Sequence, residues 1–213
     1  MIFWSKSGEF FKQDNDALFE FLGIKKDTAG VHKVKSNIEL IAPVPLCKVE
    51  TSGGILWTLS TFDLDRMGER IDPAGWDFSR FMENPVVEWA HRWDIPAIGK
   101  IEALYIDQTG LNGVLHFNDK AFDPFGWAIG ERVKAGVLRS GSVGFRPIEI
   151  EIPGKADSAD GTTLIFRKQE LLEFSVCNVP ANPYALAKLK SEKAGQTTAP
   201  FWGGLITSIE GAI

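Results

Sequence analysis

The sequence predicts a mainly β protein with helices, of the α+β class, built as a small closed antiparallel β-barrel flanked by helices. Three observations carry this. From Gly53 onward, short runs rich in β-branched and aromatic residues alternate with polar, glycine-containing links. One such link, Asp107-Gln108-Thr109-Gly110, has the length and the closing glycine of a hairpin loop. Asp123-Pro124, an N-cap followed by proline at the first helical position, announces a helix. Many short strands with one or two helices, and no internal repeat, favour a small barrel.

The elements follow in order. Residues 1–50 read as an N-terminal extension: Phe10, Phe11, Leu18, Phe19 and Leu22 form a loose helical stripe that gives way to Lys25, Lys26, Lys33 and Lys35. Ile55 to Phe62 is a buried strand. Asp63 to Asp77 has no steady period and reads as a loop leading to a short helix near Phe78 to Met82. Val86 to His91 alternates, placing Val87, Trp89 and His91 on one side with the histidine at the strand's end. Ile98 to Ile106 and Leu111 to Phe117 make the hairpin. In the helix, Phe125, Ile129 and Val133 repeat at helical spacing and Gly136 supplies the stop. Leu138 to Ile152 is a glycine-interrupted strand, Pro153 to Gly161 a loop, and Thr162 to Val176 one bent strand or two. Pro180-Ala181-Asn182-Pro183 ends the β-region, and Tyr184 to Lys190 starts a short helix. The domain is bounded at residues 51–190, and 191–213, rich in Gly, Thr and Ala, is a tail.

The chain has 213 residues, of which 44% are hydrophobic and 24% charged, enough for one substantial core. Its 23 Lys and Arg against 28 Asp and Glu give a net charge of -5. That balance argues against a nucleic-acid partner held by bulk positive charge. The apolar stretches are strand-sized and the N-terminus is interrupted early by Lys6, Glu9 and Lys12, so neither a membrane span nor a secretory signal is expected. Two cysteines, Cys47 and Cys177, are too few for a disulfide framework or zinc knuckle, and a soluble protein of a reducing cytosol is expected.

Candidate chemistry starts with the three histidines, since imidazole most easily serves as a general base near neutral pH. His32 lies in the lysine-rich segment and His116 within a strand, where a wall or surface role suffices. His91 ends an apolar strand and is followed by Arg92-Trp93-Asp94-Ile95-Pro96, a mouth-like loop of the kind that displays catalytic groups. In Leu138-Arg139-Ser140-Gly141-Ser142-Val143-Gly144-Phe145, glycines flank Ser142 on both sides and permit close backbone approach. The pattern is not the G-x-S-x-G elbow, because position 140 is serine, so an α/β-hydrolase is disfavoured. Glu173 shares a face with Leu171 and Ser175, opposite Leu172, Phe174 and Val176. It either orients the histidine or faces solvent. Both cysteines read as inert and packed. No metal set and no phosphate loop emerges, and no cofactor is expected.

Four stretches together resemble the tailed-phage prohead protease family: Thr61-Phe62-Asp63-Leu64-Asp65-Arg66, Asn84-Pro85-Val86-Val87-Glu88-Trp89-Ala90-His91, Gly136 to Phe145, and Glu170 to Pro183 with its LLEFSV and PANP signals. They occur in the family's order and cover about Trp57 to Leu186. The resemblance implies a serine endopeptidase of the herpesvirus-assemblin fold class that trims capsid or scaffold precursors, and often itself, inside the immature prohead in the bacterial host. Carried over by position, His91 is the catalytic histidine, Ser142 the serine and Glu173 the acidic third member. The implied partners are the major capsid protein or scaffold precursor as substrate, and a second copy as a homodimer, with no nucleic acid and no membrane. Backbone donors around Gly141 and Gly144, or the Arg146 region, are the oxyanion candidates. Competing readings are a non-catalytic scaffold or core protein that retains the barrel, and an esterase or amidase acting on small molecules.

Overall fold

The computed structural model describes residues 2–4, 10–12, 19, 25, 29–33, 53–154 and 158–189. Its strands are β1 (Ile2–Trp4), β2 (Phe10–Lys12), β3 (Gly30–Lys33), β4 (Ile55–Ser60), β5 (Glu69–Ile71), β6 (Trp76–Asp77), β7 (Val86–Trp89), β8 (Gly99–Asp107), β9 (Gly110–Phe117), β10 (Gly141–Ile152) and β11 (Leu164–Val176). An α-helix, α1 (Pro124–Lys134), lies between β9 and β10, and 3-10 turns occur at Pro73–Gly75 and Phe81–Glu83. β1 and β2 pair with each other, so Phe10 and Phe11 lie on a strand and not on a helical stripe. Phe19 is helical and buried in the core, while Leu18, Leu22, Cys47 and the tail 191–213 lie outside the described residues.

Among the described residues, nine strands form one sheet in the order β3-β10-β11-β7-β8-β9-β4, with β5 and β6 also paired to β11. Mainly β with a helix is the observed class, but the expected closed antiparallel barrel is not. The sheet is mixed: β5, β6 and β7 lie in succession along one edge of β11, all parallel to it. The segment expected to be a loop and a short helix, 63–82, supplies two of these strands, separated by the proline-started 3-10 turn that Asp72 caps through its carboxylate on Ala74 N–H. Pieces of two or three residues carry no readable period, which is why the sequence pattern shows none.

Nor does the sheet close. β4 and the start of β10 are joined only by isolated bridges, Trp57 to Ala187 and Ser140 to Leu186. The backbone of 185–188 is engaged on both sides. Thr58 N–H donates to Leu186 C=O (3.0 Å) and Lys188 N–H to Leu56 C=O (2.7 Å), while Gly141 N–H donates to Ala185 C=O (2.9 Å) and Ala187 N–H to Arg139 C=O (2.7 Å). Groups committed across two edges cannot make helical i→i−4 bonds, so the helix expected from Tyr184 to Lys190 is instead an extended bridging segment.

Elsewhere local signals hold. β8 and β9 form the expected hairpin, Asp107 opposite Gly110. Asp123 Oδ1 accepts from Gly126 N–H (2.9 Å) at the start of α1, and Gly136 at φ +74° stops the chain after it. Ile129 and Val133 face the core, whereas Phe125 is half exposed, edge-on to Trp89. The core is aromatic: Trp57 meets Phe174 edge-on at 5.7 Å, and Phe145 meets Phe166 at 4.8 Å. β11 is one strand, with a register shift that pairs Gly144 with Glu173 but Phe145 with Leu171 and leaves Leu172 over. Simple alternation fails there. Leu171 is buried in the core, and Leu172 joins Glu173 in lining a cleft.

Candidate active site

The site is assembled on three adjacent strands, β10, β11 and β7. Ser142 on β10 stands directly opposite Ser175 on β11, and Gly144 opposite Glu173. Glu88 on β7 pairs with Ser175 from the other side. Cross-strand partners project to the same face of a sheet, so Ser142, Ser175, Glu173 and Glu88 share one.

After β7 the chain takes two left-handed residues in a row, Ala90 at φ 52° and His91 at φ 58°. Non-glycine residues adopt this conformation at a cost, and it persists where surrounding bonds hold it. Here β11 holds it. Ala90 N–H donates to Val176 C=O (2.9 Å) and His91 N–H to Ser175 Oγ (2.9 Å). The turn brings the imidazole back over β11, where His91 Nδ1 lies 2.5 Å from Glu173 Oε1. Ser175 Oγ donates to the other oxygen, Glu173 Oε2, at 2.7 Å. A carboxylate accepts, so this contact suits the neutral tautomer that carries its proton on Nδ1 and keeps a lone pair on Nε2. Glu173 is 4% exposed and Ser175 0%; the carboxylate is therefore not on a solvent face, the alternative its strand position left open.

The glycines flanking Ser142 are packing requirements. A Cβ on Gly144 would lie 2.4 Å from Glu173 Oε1, and one on Gly141 would lie 2.2 Å from Cζ of Phe174. Ser142 itself is 6% exposed, and Ser142 Oγ and His91 Nε2 are not hydrogen-bonded to each other. Ser142 stands opposite Ser175 across the β10–β11 ladder, and the backbone of His91 is bonded to that same Ser175.

The other residues weighed from the sequence fall elsewhere. Ser140 Oγ donates to Cys177 C=O (2.8 Å). His116 pairs with Glu102 across the β8–β9 hairpin (Nε2 to Oε2, 2.7 Å), and His32 sits half-buried on β3 opposite Ile150. Cys177 is a buried free thiol, pushed up to about 11 by burial and then by the charge of Glu173. Of the oxyanion candidates, Gly141 N–H is already bonded to Ala185, and the Arg146 guanidinium is paired with Glu170. Among the described residues no group of three or more His, Cys, Asp or Glu is placed to hold a metal ion, and no helix is long and apolar enough to cross a membrane.

Two residues of the site escaped the sequence reading as functional groups. Ser175 was legible only as a neighbour of Glu173 by alternation. Glu88 lies inside the VVEWAH motif; with Val86, Trp93, Leu172 and Glu173 it lines a cleft of about 430 Å³. Burial, and then the charge of Glu173, holds the Glu88 carboxyl above the usual range.

A buried carboxylate on an imidazole, with a hydroxyl on the same sheet face, is the set of groups that serine hydrolases use. The chain belongs to the caudovirus prohead serine protease family, whose model matches residues 55–199. It is 33% identical over 127 residues to the prohead protease of Escherichia phage T5, an alignment that takes in 58% of this chain and 56% of that protein. The match thus spans little more than half the length of that relative. No solved structure matches the chain.

Proposed function

We propose that the chain is a serine endopeptidase that processes phage capsid or scaffold proteins, and itself, inside the immature prohead during maturation. The observation that carries this is the part-buried His91–Glu173 pair, fixed by Ser175, on the face that presents Ser142. Membership of the family supports the substrate class.

Ser142 Oγ attacks the scissile carbonyl carbon while His91 Nε2 takes its proton, giving a tetrahedral intermediate and an imidazolium. Glu173, bonded to Nδ1–H, stabilises that charge and keeps the ring in the tautomer that leaves Nε2 free. The C–N bond breaks as the imidazolium returns the proton to the leaving amine, and an acyl-enzyme on Ser142 remains. Water, deprotonated by the same Nε2, attacks the ester, and the collapse of the second intermediate releases the acid and restores the hydroxyl.

The test is processing of a co-expressed capsid precursor by Ser142→Ala, with a fluorophosphonate probe as the second readout. Abolished cleavage, with labelling that requires Ser142, is the expected result. Processing by Ser142→Ala at the normal rate overturns the assignment. Turnover of simple esters without any capsid cleavage would favour the small-molecule esterase instead.

A further inference from the structure

Ser175 is fully buried at the penultimate position of strand β11, and its hydroxyl makes two bonds at once. It accepts from the backbone N–H of His91 at 2.9 Å and donates to Glu173 Oε2 at 2.7 Å. With the 2.5 Å contact between His91 Nδ1 and Glu173 Oε1, the three residues form a closed hydrogen-bonded ring. Each link matters for a different reason. A histidine at φ 58° needs its amide held to stay there, and among the described residues the side chain that holds it is this serine. A carboxylate with one oxygen free to swing would not present a fixed lone pair to the ring; the Ser175 bond fixes its rotation. Alanine at 175 would satisfy the packing of the strand and lose both bonds.

We infer that Ser175 is a positioning residue for peptide cleavage: its single hydroxyl sets both the backbone of His91 and the rotation of Glu173, and so aims Nε2 at the face that carries Ser142. The inference rests on the reading of His91, Ser142 and Glu173 as the reacting set. Ser175 touches no reacting atom; it acts through its two partners.

The experiment compares full-length Ser175→Ala, Ser175→Thr, Ser142→Ala and His91→Ala proteins by cleavage kinetics and by NMR of the imidazole N–H protons. The chain has only three histidines, and His91→Ala assigns the signal. In Ser175→Ala, kcat is expected to fall about 10- to 100-fold, the scale on which outer partners of functional histidines act, with KM little changed. The Nδ1–H resonance of His91 should shift or broaden, while in Ser142→Ala it stays in place. Ser175→Thr, which keeps the hydroxyl, should recover both activity and signal. An unchanged resonance in folded Ser175→Ala, with kcat within about threefold of wild type, overturns the inference, as does a loss of activity that only tracks loss of folded protein. Wild-type cleavage by His91→Ala would overturn the reading of the reacting set itself, and the Ser175→Ala spectrum, recorded without substrate, would still report whether the hydroxyl orients the ring.

Discussion

Gly144 and Glu173 face each other across the β10–β11 ladder so closely that a Cβ on the glycine would lie 2.4 Å from Glu173 Oε1. The glycine of the SVGF motif thus leaves room for the carboxylate that holds His91, two residues along the same strand from the candidate nucleophile. Gly144→Ala is expected to push the carboxylate off the imidazole and lower kcat by about 100-fold, the penalty typical of a displacement near 1 Å. Thermal stability should change far less than activity. Equal losses in the two measurements would show that the glycine serves only the fold.

Gly141 makes the contrasting prediction. It also flanks Ser142, but the atom a Cβ would meet is Cζ of Phe174, at 2.2 Å, in the ring that packs edge-on against Trp57. Gly141→Ala should overpack the core and destabilise the protein by about 1–3 kcal/mol in urea unfolding. The protein that remains folded should cleave at close to the normal rate. A selective loss of kcat at unchanged stability would refute this division of roles between the two glycines.

Glu173→Gln keeps the shape of the side chain and removes its charge. The amide can present an N–H to Nδ1, which favours the tautomer with the proton on Nε2 and takes away the base. A fall in kcat of about 10⁴-fold is expected, as for the equivalent change in other serine hydrolases. Single-turnover cleavage of a peptide substrate measures it; a loss under tenfold would mean that the carboxylate is not the orienting group.

How much of this was readable in the sequence depends on range. The hairpin, the Asp123 cap and the Gly136 stop are decided by neighbours within a few positions, and each appears as expected. His91, Ser142 and Glu173 were picked out from their motifs, and alternation already put Ser175 on the Glu173 face. What alternation could not supply was long-range partnership. β5 and β6 are three and two residues long and owe their existence to β11, about a hundred residues away in sequence, whereas β7 shows its alternation and pairs with β8 as well. Leu172 breaks the period of β11 because β10 has one residue fewer to offer it. The segment 184–190, with its alanines, leucines and lysines, has helical propensity, and four backbone bonds to two strand edges override it.

Glu88 ties the site to pH. Its carboxyl is held above its ordinary 4.5, first by burial and then by the negative charge of Glu173. A carboxyl whose folded value is raised binds its proton more readily in the folded state, so its contribution to stability is complete below about pH 4.5 and is lost as pH rises through the folded value. Above that value the ionised group therefore opposes folding. Glu88→Gln is expected to raise Tm at pH 7 and to have little effect at pH 4, which differential scanning calorimetry at the two pH values would read directly. The same substitution removes a negative charge from beside the Glu173–His91 pair, so the imidazolium is less stabilised and the acid limb of the kcat/KM profile should move to lower pH. An acid limb that stays in place, or moves to higher pH, would mean that Glu88 does not act on the His91–Glu173 pair.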